Sequence, residues 1–228
     1  MKSTLLLCLS LLLGIGSAQA QYFFGAGQLN YGIPTAKFRE TSPQVVVPGL
    51  DLYVNYQIPK TPIELGISVG YSQYSTGVTE VVGIYDIPTQ TYRERINHNL
   101  ATFMGTFRFL PEVKSRTQPF FEAQAGLFMS YSRFKVRESR FEEVLDSGTS
   151  IRDTAFGRSL GGGILIPLSP KNNTYLELKV LYFRTGELEY LTQKDINYSP
   201  DYDIEFSARK SPFDMVRPSI GINIWLNE

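Results

Sequence analysis

The chain has 228 residues, 43% of them hydrophobic, and its 22 basic side chains balance its 22 acidic ones. A formal net charge of zero gives no overall field to recruit nucleic acid, so no nucleic-acid partner is expected. The single His and single Cys exclude a metal site built from several His or Cys ligands, and no metal or cofactor is expected.

The first twenty residues predict a cleaved secretory signal peptide. Lys2 supplies the basic start, Leu5–Leu13 the apolar stretch, and Ala18-Gln19-Ala20 a small-x-small cleavage site before Gln21. The only cysteine, Cys8, lies inside this segment, so the mature chain is no disulfide scaffold. Residues 21–228 are expected to form one domain, and none of their apolar runs is long enough for a membrane helix.

Eight later segments alternate apolar and polar residues with period two, which predicts eight antiparallel strands. The clearest are Leu50–Ile58 and Ile63–Ser72. The other six are Tyr22–Tyr31, Ala101–Phe109, Phe121–Ser132, Phe156–Ile166, Leu176–Tyr182 and Ser219–Leu226. The run Gly161-Gly162-Gly163 weakens one strand but permits close packing. The best helical candidate, Arg137–Leu145, is short, charged and placed in a connection.

The predicted connections alternate in length. The short ones, at 59–62, 111–119 and 167–173, all contain proline, which is typical of tight turns. The long ones lie at 32–49, 75–97, 135–153 and 185–212. This alternation places every large loop at one end of the structure, where functional loops are expected.

Strands with one apolar face close in one of two ways. An inward apolar face gives a soluble barrel or sandwich that binds an apolar ligand, whereas an outward one gives an all-β, up-and-down transmembrane barrel. The polar faces favour the second, because they are small and of mixed charge, and because about ten residues per strand suffice to cross a bilayer. The charged side chains expected to pair inside are Glu64, Arg108, Glu122, Arg158, Glu177, Lys179 and Arg217.

Aromatic residues fall near the ends of the predicted strands. At a membrane boundary an amphipathic ring keeps its apolar body in lipid and its polar tip in water, so these positions predict a girdle. Its expected members are Tyr22, Tyr31, Tyr56, Tyr71, Phe109, Phe121, Tyr131 and Tyr182.

The signal ending Ala18-Gln19-Ala20, the dyad strands and the alternation of short turns with long loops resemble the small eight-stranded outer-membrane β-barrels of Gram-negative bacteria, the OmpA/OmpX-like family. The resemblance implies a monomer in the outer membrane among lipid and lipopolysaccharide, with periplasmic termini and four outer loops. Two features depart from it. The chain ends Trp225-Leu226-Asn227-Glu228 instead of on an aromatic residue, and Pro218 predicts that the last strand pairs only from about Ser219 or carries a bulge there. Frequent Tyr, Asn and Gly resemble Bacteroidota members.

The functional prediction is a structural or interaction role without catalysis. An eight-stranded barrel is just wide enough for its own side chains, so the inward charges predict a plug. The outer loops would then serve envelope integrity, adhesion or docking of a protein or surface partner. The alternative is a narrow pore for small solutes or ions, with Arg108 and Glu122 along its path. The soluble barrel remains a second alternative.

Two remaining features, His98 and the last long loop, could carry catalysis or bind cations, but a structural interpretation is preferred for both. His98 is the only near-neutral base, and Ser72 or Ser130 could approach it, but it is interpreted as a polar residue at a strand–loop boundary. The last long loop is acidic, which suggests divalent cations, although its spacing matches no calcium loop and a solvated loop is preferred. Its carboxylates are Glu187, Glu189, Asp195, Asp201, Asp203 and Glu205.

Overall fold

A computed structural model describes residues 22–82, 91–138, 142–169, 174–192, 196–198 and 204–226. The predicted signal peptide lies outside them. Eight long strands form a closed antiparallel barrel in which each pairs with the next along the chain and the last pairs with the first. They are β1 (Phe23–Pro34), β2 (Val47–Gln57), β3 (Ile63–Val82), β4 (Thr91–Phe109), β5 (Gln118–Arg137), β6 (Asp146–Ser169), β7 (Thr174–Thr185) and β12 (Met215–Trp225). The connections add helix α1 (Ala36–Thr41) and short strands β8 (Glu187–Tyr190), β9 (Ile196–Tyr198), β10 (Ile204–Phe206) and β11 (Arg209–Pro212).

The pairing register sets the slope of the strands. A row of directly paired residues that leaves β6 at Ile164 returns to β6 at Thr154, ten residues away on the same strand (164 to 154). For eight strands, that stagger corresponds to a tilt of about 40°, as transmembrane barrels have. The row runs Ile164, Leu178, Ile220, Leu29, Leu50, Tyr71, Ala101, Met129, Thr154.

The apolar face of the barrel points outward. On β2, Leu50, Leu52 and Val54 are exposed, whereas Tyr53 and Asn55, the neighbours of Val54, are buried in the lumen. The same alternation continues around the barrel, so a closed belt of apolar side chains faces the surroundings. A continuous apolar surface of this size requires lipid. The predicted fold class, an eight-stranded up-and-down transmembrane barrel, is confirmed.

Four strands extend far beyond the belt. β3, β4, β5 and β6 contain 20, 19, 20 and 24 residues, about twice what a bilayer crossing requires. The predicted loops at 75–97 and 135–153 are therefore wrong over most of their length. Hairpin hydrogen bonding continues outside the membrane, where the outward face becomes polar and the apolar period that marks a strand disappears.

Two local predictions also change. No part of the described residues near Arg137–Leu145 is helical; the helix is α1, whose Phe38 is buried. Pro218 lies inside β12 and pairs with Val180. Pairing to β1 is interrupted there but continues at Ile33 and Val216 in the same register, so the expected start at Ser219 or bulge is wrong. The interruption accommodates a residue without an N–H. Within the described residues, no helix is long and apolar enough to cross a membrane.

Candidate functional site

A cluster of buried charges fills the lumen at the short-turn end of the barrel. Its centre is Arg108, which is 1% exposed. Its Nε lies 2.5 Å from Oε2 of Glu122, on the neighbouring strand β5, and its Nη2 lies 2.6 Å from Oε1 of Glu177, across the lumen on β7. A third carboxylate, Glu64 on β3, lies 4.0 Å from Nη1. One guanidinium therefore links four strands.

Further polar groups complete this cluster from the remaining walls. The ammonium of Lys179 lies 2.9 Å from Glu122 and 3.7 Å from Glu177. Gln28 on β1 donates to Glu177 at 2.7 Å, Asn223 on β12 donates to it at 3.3 Å, and the hydroxyl of Tyr53 on β2 also donates to it. Glu177 is thus held from several sides, which compensates for its removal from water.

Two aromatic rings enclose the guanidinium of Arg108. Its central carbon lies 4.6 Å from the ring centroid of Tyr53 and 4.4 Å from that of Phe120. The flat guanidinium stacks on both rings, a geometry that a lysine ammonium does not reproduce. Aromatic packing therefore joins the ion pairs in filling this section of the lumen.

A second ion pair lies further toward the long loops. Arg217 on β12 contacts Asp51 on β2 at 2.7 Å, and its guanidinium lies 5.1 Å from the ring centroid of Phe183. Of the seven charges expected inside, the structure places six in the lumen. They are Glu64, Arg108, Glu122, Glu177, Lys179 and Arg217.

Arg158 is the exception. It is exposed on the outer face of β6, directly opposite Arg184 on β7. The prediction that it joins the interior network is wrong, because Gly157 and Ser159 occupy the inward positions on either side of it. The glycines of β6 remove the alternation of apolar and polar side chains that would have shown which residues of this strand point inward.

An apolar plug, which was not predicted, closes the long-loop end. Phe38 of α1, Tyr190 of β8 and Phe213 before β12 lie fully buried inside the barrel mouth. The Phe213 ring centroid is 4.3 Å from that of Phe38 and 4.9 Å from that of Tyr190. They pack on Tyr74, Leu100, Met104, Phe128, Leu181, Phe183, Leu188 and Met215. The signal available in the sequence was the presence of Phe38 and Tyr190, two large aromatic residues, inside predicted loops.

His98 lies beneath this plug and not at an exposed boundary. Its Nδ1 is 2.7 Å from Oγ of Ser132, its direct partner across the β4–β5 pair, and its ring stacks on Tyr74. The serine is neither Ser72 nor Ser130, because only the strand register decides which one faces it. A base and a hydroxyl at this distance are a catalytic arrangement in principle. The His98 side chain is, however, fully buried and has no contact with the surface of the barrel.

The residues of the expected girdle lie at the two margins of the apolar belt. Tyr22, Tyr56, Phe109 and Phe121 are near the short-turn end, and Tyr31, Tyr71, Tyr131 and Tyr182 are toward the long loops. All eight are exposed or half-buried on the outside of the barrel. One is also tied to its neighbour, since the Tyr71 hydroxyl donates to Asn99 at 2.7 Å.

The extended sheet has a basic outer face, which we call the basic ladder. Arg93 lies directly opposite Arg137, and Arg95 lies opposite Lys135, with Arg133 following on β5. The side chains of the two opposed pairs line a depression of about 300 Å³. Like charges that face each other across a strand pair repel, so these two successive pairs destabilise the sheet locally. Glu80, opposite Arg93 on β3, is the acidic residue in register with them.

The acidic connection is only partly described. Glu187 contacts Lys37 at 3.2 Å and Lys210 at 4.0 Å, so it takes part in surface ion pairs. Asp195, Asp201 and Asp203, and the side chain of Glu205, lie outside the described residues. Across the part of the chain that is described, no group of three or more potential metal ligands occurs.

Comparisons with known proteins concern the fold alone. No protein-family profile and no curated protein matches the chain. Among solved structures it is similar to Neisserial surface protein A, with 11% identity, a TM-score of 0.46, and coverage of 90% of this chain and 96% of that one. For OprG of Pseudomonas aeruginosa the identity is 14% and the TM-score 0.44, with coverage of 89% of this chain and 94% of that one. For a major outer membrane protein of Thermus thermophilus the identity is 11% and the TM-score 0.46, with coverage of 89% and 98%. Likenesses this distant leave function to the geometry of the chain itself.

Proposed function

We propose that the chain is an outer-membrane barrel with a structural and interaction role, and that it does not conduct. The observation that carries this is the filling of the lumen in two layers, the Arg108 cluster below and the apolar plug above. An ion would have to displace bonded charges in the first layer and packed rings in the second. Both layers oppose the alternative of a narrow pore.

Planar-bilayer recording tests this directly. The purified chain inserted from detergent is expected to give no stable current steps, because its lumen has no continuous water path. The Arg108→Ser variant is the matched comparison, since it removes the central cation of the lower layer but leaves the plug. Wild-type channels whose conductance changes in Arg108→Ser would overturn the proposal and favour the pore.

The cellular location is tested by fractionation. The mature chain is expected in the detergent-extracted outer-membrane fraction, with a heat-dependent shift in gel migration and an N-terminus at Gln21. The outward apolar belt supports this, because its side chains need lipid. Recovery from the periplasm without detergent would instead favour the soluble, ligand-binding barrel.

For the interaction role, the basic ladder favours a polyanionic partner at the cell surface. Opposed Arg and Lys side chains gain most when an anion lies between them, and such binding weakens steeply with salt. Heparin serves as the probe. The double variant Arg95→Gln, Lys135→Gln is expected to bind it at least about tenfold more weakly. The control Lys114→Gln, Arg116→Gln changes two exposed cations in a short turn and is expected to bind as the wild type does. Equal binding by all three proteins would contradict this partner class.

A further inference from the structure

Arg158 and Arg184 form an isolated pair of like charges on the outside of the barrel. They are direct cross-strand partners on β6 and β7, and both are exposed. Within the described residues neither makes an ion pair. Arg184 acts electrostatically on the carboxylate of Asp214, which is buried and forms no ion pair with it within the described residues. Two guanidinium groups placed side by side repel each other unless an anion bridges them.

The pair lies at the outer margin of the apolar belt. Arg184 is ten residues beyond Thr174, where β7 begins. A tilted strand rises about 25 Å over that length, and the apolar belt of a membrane barrel has the same height. On β6, Arg158 lies between two outward apolar side chains, Leu160, 68% exposed, and Phe156, 62% exposed. The side chains of arginines at this level reach toward the headgroups.

The chemistry available at this level selects the anion. Guanidinium groups bind phosphate with two parallel hydrogen bonds each, and a phosphate monoester near neutral pH carries enough charge for two cations. We propose that Arg158 and Arg184 together bind a phosphate group on the headgroup of an outer-leaflet glycolipid. The proposal rests on the outer-membrane location given above. It differs from the basic ladder, which lies higher, on the extended sheet.

Native mass spectrometry of the detergent-solubilised barrel tests the proposal with a bisphosphorylated lipid A-type glycolipid as the probe. The wild type is expected to retain one glycolipid, and the double variant Arg158→Gln, Arg184→Gln to bind it at least about tenfold more weakly. The same glycolipid without its phosphates is expected to bind the wild type as weakly as the variant binds the phosphorylated form. Heat-dependent gel migration verifies that the variant is folded.

Arg152→Gln is the matched control, because Arg152 is exposed on β6 and lies opposite Tyr131 instead of another arginine. It is expected to bind the glycolipid as the wild type does. Unchanged binding in the folded double variant, an equal loss in Arg152→Gln, or equal retention of the dephosphorylated glycolipid would each overturn the proposal. Failure of the proposed function is visible separately, as conductance or as recovery without detergent.

Discussion

Arg108 contacts three carboxylates and two aromatic rings in the lumen of the barrel. Its replacement by methionine keeps much of the volume but leaves Glu64, Glu122 and Glu177 with Lys179 as the only cation among them. Breaking a buried ion network in this way costs about 3–5 kcal/mol. We expect that loss in urea unfolding from lipid vesicles. The exposed Arg116→Met change is expected to stay within about 0.5 kcal/mol, and equal stability of both variants would contradict the central role of Arg108.

Asp214, at the outer end of the barrel, is expected to make the stability of the folded protein depend on pH. Burial raises the pKa of Asp214 above its usual 3.8, while Arg184 and a backbone hydrogen bond from Thr185 oppose that rise. The folded state therefore holds this proton more tightly than the unfolded state does. The associated stability is complete below the unfolded pKa and is lost as pH rises through the folded one. Comparing the urea midpoints of the wild type and Asp214→Asn from about pH 3 to pH 7 should show this loss in the wild type alone. Parallel curves would contradict it.

At the level of the strands, glycine makes room for the interior network. A Cβ added to Gly163 on β6 would lie 2.6 Å from Cβ of Lys179, 2.7 Å from Cζ of Phe120 and 2.3 Å from the carbonyl oxygen of Leu178. Gly163→Ala must therefore displace a backbone and the ring that stacks on Arg108. We expect a loss of about 1–3 kcal/mol in the same urea assay. Gly105→Ala is the control, since its nearest neighbour would be the Ala125 carbonyl at an ordinary 3.6 Å. A similar cost for both would show that strand propensity, and not crowding, decides.

The strands also show where the sequence predicts well and where it does not. The alternation of apolar and polar residues predicted that four charged side chains point inward, because each stands between two apolar residues that point outward. They are Glu64, Arg108, Glu122 and Glu177. The alternation failed for Arg158, whose inward neighbours include a glycine. Strand length was underestimated in β3 to β6 because, outside lipid, an outward position need not be apolar, and backbone pairing alone extends the sheet.

For the molecule as a whole, we expect the two layers of the lumen to act as independent barriers to ions. The variant Phe38→Ala, Phe213→Ala opens the plug but leaves the Arg108 cluster, so planar-bilayer conductance is expected to stay near zero. Adding Arg108→Ser and Phe120→Ala removes the second barrier, and only this combination is expected to give current steps. Current from the plug variant alone would show that the Arg108 cluster does not seal the lumen.

The sequence by itself determined the number of barrel strands and the direction of the apolar face, because lipid outside and polar side chains inside impose a period of two on every membrane-crossing strand. Tertiary structure decided the rest. Which carboxylate reaches Arg108 across the lumen, which serine faces His98, and that Phe38, Tyr190 and Phe213 fold back into the barrel mouth all depend on register, tilt and loop path. These bring together residues far apart in the chain, and no local pattern encodes their distances.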